Sequence, residues 1–163
     1  QAGYTKTTGP RFARELVDRV RELPGVQTAT IASGLPGGFE ARRETLTVPG
    51  ASRPGGQRFF IVDWNIVEPG YFATLRTPIA AGRDFTIGDR DGTQPVAIVS
   101  EAAARQFWPG QDAIGKSLLQ YTPSPPGPTN PTRTLLVIGV ARDVLVWRAP
   151  ACTCRYNSST FRA

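Results

Sequence analysis

The chain contains no histidine. That removes the usual Ser-His-Asp and Cys-His catalytic arrangements and the commonest zinc ligand. Cysteine is nearly absent too: only Cys152 and Cys154 occur, near the C-terminus. A pair spaced C-x-C strains disulfide geometry and supplies at best half of a metal site. A body without cysteine is compatible with an oxidising compartment. Lysine is scarce, since Lys6 and Lys116 stand against 17 arginines. Long apolar runs are lacking as well. The longest, residues 135–141, falls far short of the ~20 residues that a membrane helix needs. The first residues are polar and carry no signal-peptide pattern.

What is present fits a folded, soluble protein. The 163 residues are 40% hydrophobic and 20% charged, enough for one domain or two small subdomains with a real core. Glycine and proline together number 32, which implies many turns and short elements. The net charge of +6 makes nucleic acid the first partner to weigh. Its distribution argues against one. Residues 1–143 hold 16 basic and 13 acidic groups, interspersed, and the last 20 residues add three arginines and no acid. No basic cluster forms, and no nucleic-acid partner is expected.

The clearest element is "GPRFARELVDRVRELPG". Pro10 suits a first helical turn, and Phe12, Leu16, Val17, Val20 and Leu23 make one apolar stripe. Arg11 with Glu15 and Arg14 with Asp18 are spaced to pair, and Pro24-Gly25 ends the helix. This reads as a helix covering a sheet. "VQTATIAS" and "RETLTVPG" predict strands, the second with Leu46 and Val48 on one face. "RFFIVDWNIV" predicts a long strand, "EPGYFATL" a turn with a short helix, and "PIAAGRDF" a short extended piece. "PVAIVS" predicts a buried strand, with Ser100 capping the helix "EAAARQFW". "GKSLLQY" and "RTLLVIGVARDV" predict strands around a Pro-rich loop, the second being the last strand. Strands broken by two helices predict an α+β fold, with helices on one face of the sheet.

Motifs that mimic chemistry fail on spacing. "SGLPGGFE" is glycine-rich but lacks the following Lys of a phosphate loop, and "IGKS" at 114–117 lacks the upstream glycine. "GRDFTIGDRDG" places Asp84, Asp89 and Asp91 together. An EF-hand alignment, however, puts Ile87 at the first ligand position and Ile98 at the twelfth. A turn whose Asp side chains bond local backbone is the reading adopted. Asp63 with Glu68, or Glu40 with Glu44, would serve a glycosidase only if two carboxylates faced one cleft, and nothing singles them out. No catalytic, cofactor or metal site is expected.

One stretch stands apart: "EAAARQFWPGQDAIG". Two large aromatics, Phe107 and Trp108, end a short helix before Pro109-Gly110 turns the chain. Aromatics there anchor a helix on a sheet, and an exposed Trp108 is the alternative, as a contact for a partner. Tyr71 and Phe72 are candidate contacts of the same kind.

These residues also carry a family resemblance. "LPGVQTATIASGLP", "VEPGYFATLRTPIAAGRDFTIGDRDG", "PVAIVSEAAARQFWPGQDAIGK" and "VIGVARDV" stand in the order seen in the periplasmic core domain of MacB-like ABC-transporter permeases. The match resembles most the bacterial duplicated permeases of that MacB/FtsX-like group. The motif positions are Gly70, Tyr71, Phe72, Gly82, Arg83, Asp84, Phe107, Trp108, Pro109 and Gly115, and Ser100 and Ala113 depart from the common Asn and Pro.

The resemblance implies a porter-like sheet with helices on one face and a strand-rich second subdomain. It covers 1–145, with the family's N-terminal strand missing, and leaves 146–163 as an unassigned tail, read as truncated or frame-shifted. It implies a domain outside the bacterial inner membrane, with no chemistry or cofactor of its own. Motion driven by a cytoplasmic ATPase would be transmitted through the membrane part to export or extract a substrate. A periplasmic adaptor or the substrate would be its partner, and the parent protein would be dimeric or pseudo-dimeric. The alternative is a free-standing extracytoplasmic domain that binds a peptide, lipid or envelope protein.

Overall fold

The computed structural model describes residues 8–34, 42–51, 56–121, 133–143 and 151–155. Helix α1 spans Thr8–Arg21, and two strands follow, β1 (Arg42–Thr47) and β2 (Phe59–Val67). A single helical turn, α2 (Tyr71–Thr74), leads to β3 (Ile79–Gly82). Then come β4 (Val96–Ser100), α3 (Glu101–Phe107), β5 (Ser117–Gln120), β6 (Arg133–Ala141) and β7 (Ala151–Arg155). The expected α+β class is the observed one.

All seven strands belong to one sheet, ordered β3-β6-β4-β7-β2-β1-β5, and β5 also pairs with β6. That last pairing closes β6-β4-β7-β2-β1-β5 into a ring, with β3 added to the edge of β6 beside β5. Most neighbours run antiparallel, while β4–β6 and β2–β7 run parallel. β6 is the hinge of the topology because it bonds three strands. Its first half pairs with β5, its last residues pair with β3, and β4 lines the other edge.

Alternation along the strands sorts the core. β2 turns Phe60, Val62, Trp64 and Ile66 inward, where they meet Leu46, Leu118, Leu135, Val137, Val99 and Cys152. A second cluster lies across β4 and β6 from the first: Val67, Tyr71, Phe72, Phe85, Val96, Ile98, Ile138 and Ala141. β4 is therefore buried along its whole length, which explains a run, VAIVS, with no polar alternation. Leu46 and Val48 are both buried, as their spacing predicts.

Three sequence expectations are met differently. The stripe of α1 does not sink into a sheet: Phe12 is 45% exposed, Leu16 47% and Leu23 56%. "VQTATIAS" forms no named strand and keeps one bridge, Ala32 to Val67, at the end of β2. β6 is not the last strand, since Ala151–Arg155 enters the sheet as β7 between β2 and β4. Each outcome turns on partners distant in sequence, which local pattern does not encode. The glycine-rich stretch at 35–40 and the Pro-rich loop after Tyr121 lie outside the described residues.

Candidate functional site

The motif residues gather around the β3, β4 and β6 corner. β3 ends on Gly82 with φ +73°, a conformation that favours glycine, opposite Gly139 of β6. A side chain at Gly82 would collide with the Ile138 carbonyl oxygen, and one at Gly139 would come within 2.5 Å of the Arg83 carbonyl oxygen. The two strands approach closely because both lack a Cβ. The Arg83 amide then donates to the Ile138 carbonyl at 2.9 Å, which launches the loop off the sheet.

That loop is clamped by its own charges. Arg83 donates through Nη1 and Nη2 to the two oxygens of Asp89, each at 2.7 Å. Asp89 Oδ2 also accepts from the Thr86 amide at 2.7 Å and the Thr86 hydroxyl at 3.0 Å. The Arg83 fork lowers the Asp89 pKa from 3.8 to about 2, against an opposing push from desolvation, and the Thr86 donors add to the lowering. Asp84 accepts from the Phe85 amide at 2.7 Å, and burial raises its pKa despite that bond. The loop's resemblance to a calcium site thus has a physical answer, because both Asp89 oxygens are engaged by donors of the chain. The sequence expectation of aspartates bonding local backbone is observed. The Arg83 clamp, six residues from its acid, was not anticipated.

Gly70 precedes α2 with φ 85°, and Tyr71 and Phe72 follow into the second cluster at 2% and 1% exposure. Their rings stand edge to face at 5.3 Å. The Asn65 amide donates to the Tyr71 hydroxyl at 3.1 Å and to the Gly34 carbonyl at 3.0 Å, stitching the segment before β1 to α2. Burial raises the Tyr71 pKa, and the Asn65 hydrogen bond opposes that shift.

The FWPG corner is a packed joint. Ser100 caps α3 by accepting from the Ala103 amide at 3.1 Å. Asp143, just beyond β6, accepts from the Ala102 amide at 2.9 Å and from Arg105 at 2.7 Å. Its own amide donates to Glu101 at 3.3 Å. Phe107 is 1% exposed and meets Phe60 at 4.8 Å, and Trp108 is 5% exposed and meets Phe107 at 5.6 Å, both edge to face. Pro109-Gly110 reverses the chain, and the Asp112 carboxylate accepts from the Ile114 amide at 2.9 Å. Gly115, at φ 80°, donates its amide to the Val137 carbonyl at 2.9 Å and so delivers the chain into β5.

Tyr71, Phe72 and Trp108 were the candidate partner contacts. All three are inside, with their rings spent on the two core clusters, so the anchoring role is the one the geometry supports.

Of the imagined carboxylate pairs, the structure describes Asp63, Glu68 and Glu44. Asp63 sits on β2 beside Arg43 at 3.8 Å, and Glu68 lies past the end of that strand. Glu44 is bound by Arg42 at 2.9 Å, and Glu40 lies outside the described residues. The Lys116 ammonium donates to Gln111 at 3.0 Å. Among the described residues, no group of three or more Cys, Asp or Glu is placed to hold a metal ion. No described helix is long and apolar enough to cross a membrane.

Against this geometry, comparison with known proteins is decisive. The family model for the MacB-like periplasmic core domain matches residues 1–151. The chain belongs to that family. No curated protein sequence matches it. Among solved structures, the MacB-like fold recurs in the periplasmic region of MacB from Actinobacillus actinomycetemcomitans, at TM-score 0.57 and 17% identity, over 91% of this chain and 56% of that one. It recurs in the extracellular domain of the noncanonic ABC-type transporter YknZ from Gram-positive bacteria, at TM-score 0.60 and 15% identity, over 94% of this chain and 68% of that one. A domain of a putative permease from Porphyromonas gingivalis matches at TM-score 0.56 and 16% identity, over 90% and 57%. At these identities the neighbours speak for the fold. The chain spans 56% of the MacB region and 57% of the permease domain. Of the residues that carry the sequence resemblance, Gly82, Arg83, Phe107, Trp108 and Gly115 lie at the joint of β3, β4, β6 and α3.

Proposed function

We propose that this chain is the extracytoplasmic domain of an ABC-transporter permease and works mechanically. A cytoplasmic ATPase moves the membrane part, and this domain transmits the movement to a substrate that is exported or extracted. It performs no chemistry of its own and lies at the periplasmic face of the inner membrane, where an adaptor or the substrate is its contact.

One observation carries the reading. The family's motif residues are spent on internal structure: the Arg83–Asp89 clamp, the Gly82–Gly139 approach, the buried Phe107 and Trp108, and the Asp143 cap on α3. A catalytic domain concentrates such residues around a cleft with perturbed titratable groups. A domain that carries force needs its elements locked to one another instead. Here β6 ties β3, β4 and β5 together, and its exit at Asp143 is fastened to α3.

The test uses the permease that carries this domain, reconstituted with its ATPase in vesicles. Ile87, 83% exposed, is replaced by Cys and labelled with a donor dye, with an acceptor dye in the lipid headgroups. Energy transfer is expected to change on adding ATP and to return after hydrolysis. Transfer that stays constant while the ATPase turns over would refute coupling through this domain.

A further inference from the structure

β2 breaks the alternation that a half-exposed strand normally shows. Phe60 and Val62 point into the core, so Phe59 and Ile61 point out, where an antiparallel strand ordinarily carries polar residues. They are 41% and 60% exposed. The register extends this outer face across two neighbours. Thr45 and Thr47 of β1 stand opposite Ile61 and Phe59, and Leu119 of β5 stands opposite Thr47 on its other side. Leu118 is buried, so Leu119 faces outward. The Tyr121 ring, just past β5, meets the Phe59 ring edge to face at 5.7 Å. These side chains from three strands form one surface without a charge.

The charges around that surface are sorted by sign. Arg43 and Asp63 close one end of it, 3.8 Å apart, with Arg43 76% exposed and Asp63 32%. On the same strand as Arg43, Glu44 is sunk to 10% beside Arg42, which is 52% exposed. The connections from β1 to β2 and from β5 to β6, residues 48–58 and 121–133, contain three arginines and no acid. Arg58, next to Phe59, is exposed. An exposed apolar patch rimmed by polar groups marks an interaction site, and outward cations on the rim select a partner with anions at matching places. A peptide fits this face better than a bilayer does. Interfacial membrane binding relies on an amphipathic helix lying in the headgroup layer, whereas these side chains stand on the flat of a sheet.

We infer that the outer face of β1, β2 and β5 docks an apolar peptide segment flanked by acidic residues, carried by the exported substrate or by an adaptor. Phe59 and Ile61 make the apolar contact. The Phe59 and Tyr121 rings already brace one another, so binding orders little that is not ordered beforehand. Arg43 and Arg58 meet the flanking carboxylates at the solvated rim, where charge sets partner choice and encounter rate. The surface is read from this face alone. Only the identity of the carrier, substrate or adaptor, rests on the transport reading.

The test is fluorescence anisotropy on the full chain with two dye-labelled peptides, Glu-Glu-Leu-Phe-Leu-Leu-Glu-Glu and its twin with Lys for every Glu. The acidic peptide is expected to bind, and its twin to bind about tenfold or more weakly at low salt, a gap that narrows as salt is raised. Ile61→Asp, at an exposed position, is expected to weaken the acidic peptide by about tenfold. Arg58→Glu is expected to weaken it by about fivefold and to favour the twin. No binding of the acidic peptide up to millimolar concentration overturns the inference. So does binding that Ile61→Asp leaves unchanged, or equal binding of the two peptides. Should Ile61→Asp lose the cooperative melt, Ile61→Thr, which keeps the β-branched shape, decides in its place. Sedimentation with phosphatidylglycerol vesicles that Ile61→Asp abolishes, without peptide binding, would assign the face to the membrane and overturn the proposal. Constant energy transfer in the reconstituted permease would refute coupling and leave the peptide result standing, so the two readings fail separately.

Discussion

Both oxygens of Asp89 hold the loop that follows β3, and the charge that makes them good acceptors is lost in acid. The folded-state pKa of about 2 lies below the ordinary 3.8, so the unfolded chain takes up its proton first as pH falls. The clamp therefore contributes its full stability above about pH 4, and that contribution declines as pH falls toward 2. Asp89→Asn removes the charge and keeps the shape. It is expected to lower stability near neutral pH by about 2 kcal/mol and to flatten the dependence between pH 4 and 2, measured by urea unfolding across that range. An unchanged pH profile in the variant would show that another carboxylate governs acid unfolding. At this scale the sequence was partly legible. Gly82, Arg83 and Asp84 could be marked as motif, and the aspartates placed in a local turn. The fork from Arg83 to Asp89 was not, because a contact six residues apart in a loop follows no periodicity. Tyr71, Phe72 and Trp108 also resisted, since a large aromatic at a turn suits a core or a surface equally until its neighbours are known.

Elements divide by whether their signals are local. α3 was legible from Ser100 at its cap, Glu101 in its first turn and Pro109-Gly110 at its end, all within one short stretch. β1 and β2 showed themselves through alternation, and Leu46 and Val48 fell on the expected face. The run at 26–32 has equally good strand composition, yet β2 extends only to Val67, and among the described residues the run keeps one bridge to it. α1 is likewise a clear helix whose covering surface the sequence could not supply. These differences give an unequal sensitivity to mutation. Phe107→Ala removes a ring packed against Phe60 and Trp108 and is expected to cost about 3–5 kcal/mol. Leu16→Gln, on the half-exposed stripe of α1, is expected to stay within about 1 kcal/mol. Thermal unfolding of the two variants checks the contrast, and equal losses would mean that α1 is covered in solution as tightly as α3.

At the scale of the molecule, the decisive fact is where the C-terminal segment goes. Read alone, the stretch after Val144 offers no family pattern, and its short C-x-C alternation is too brief to declare a strand. In the fold, Ala151–Arg155 stands between β2 and β4, parallel to one and antiparallel to the other. Its partners lie some fifty to ninety residues earlier, and closure over such distances is what a local reading misses. Cys152 pairs in register with Trp64 on one side and Val99 on the other, and its thiol is buried in the principal cluster. Without β7 the ring has a gap: β2 and β4 each lose a hydrogen-bonded neighbour, and Trp64 and Val99 lose the side chain between them. A chain ending at Asp143 keeps the residues of the clamp, the FWPG joint and the cap on α3, and loses β7 with the Cys152 side chain it adds to the core. It is expected to lose the single cooperative thermal transition of the full chain, or to show it at a much lower temperature. In the full chain Cys152 is expected to react with an aromatic disulfide reagent only as fast as the protein unfolds. Calorimetry and thiol kinetics read the same event from two sides. A truncated chain that melts where the full one does, together with a Cys152 that reacts at once under native conditions, would show that the sheet closes without its last strand. The joint at β3, β4 and β6 would then be the whole of the stable core.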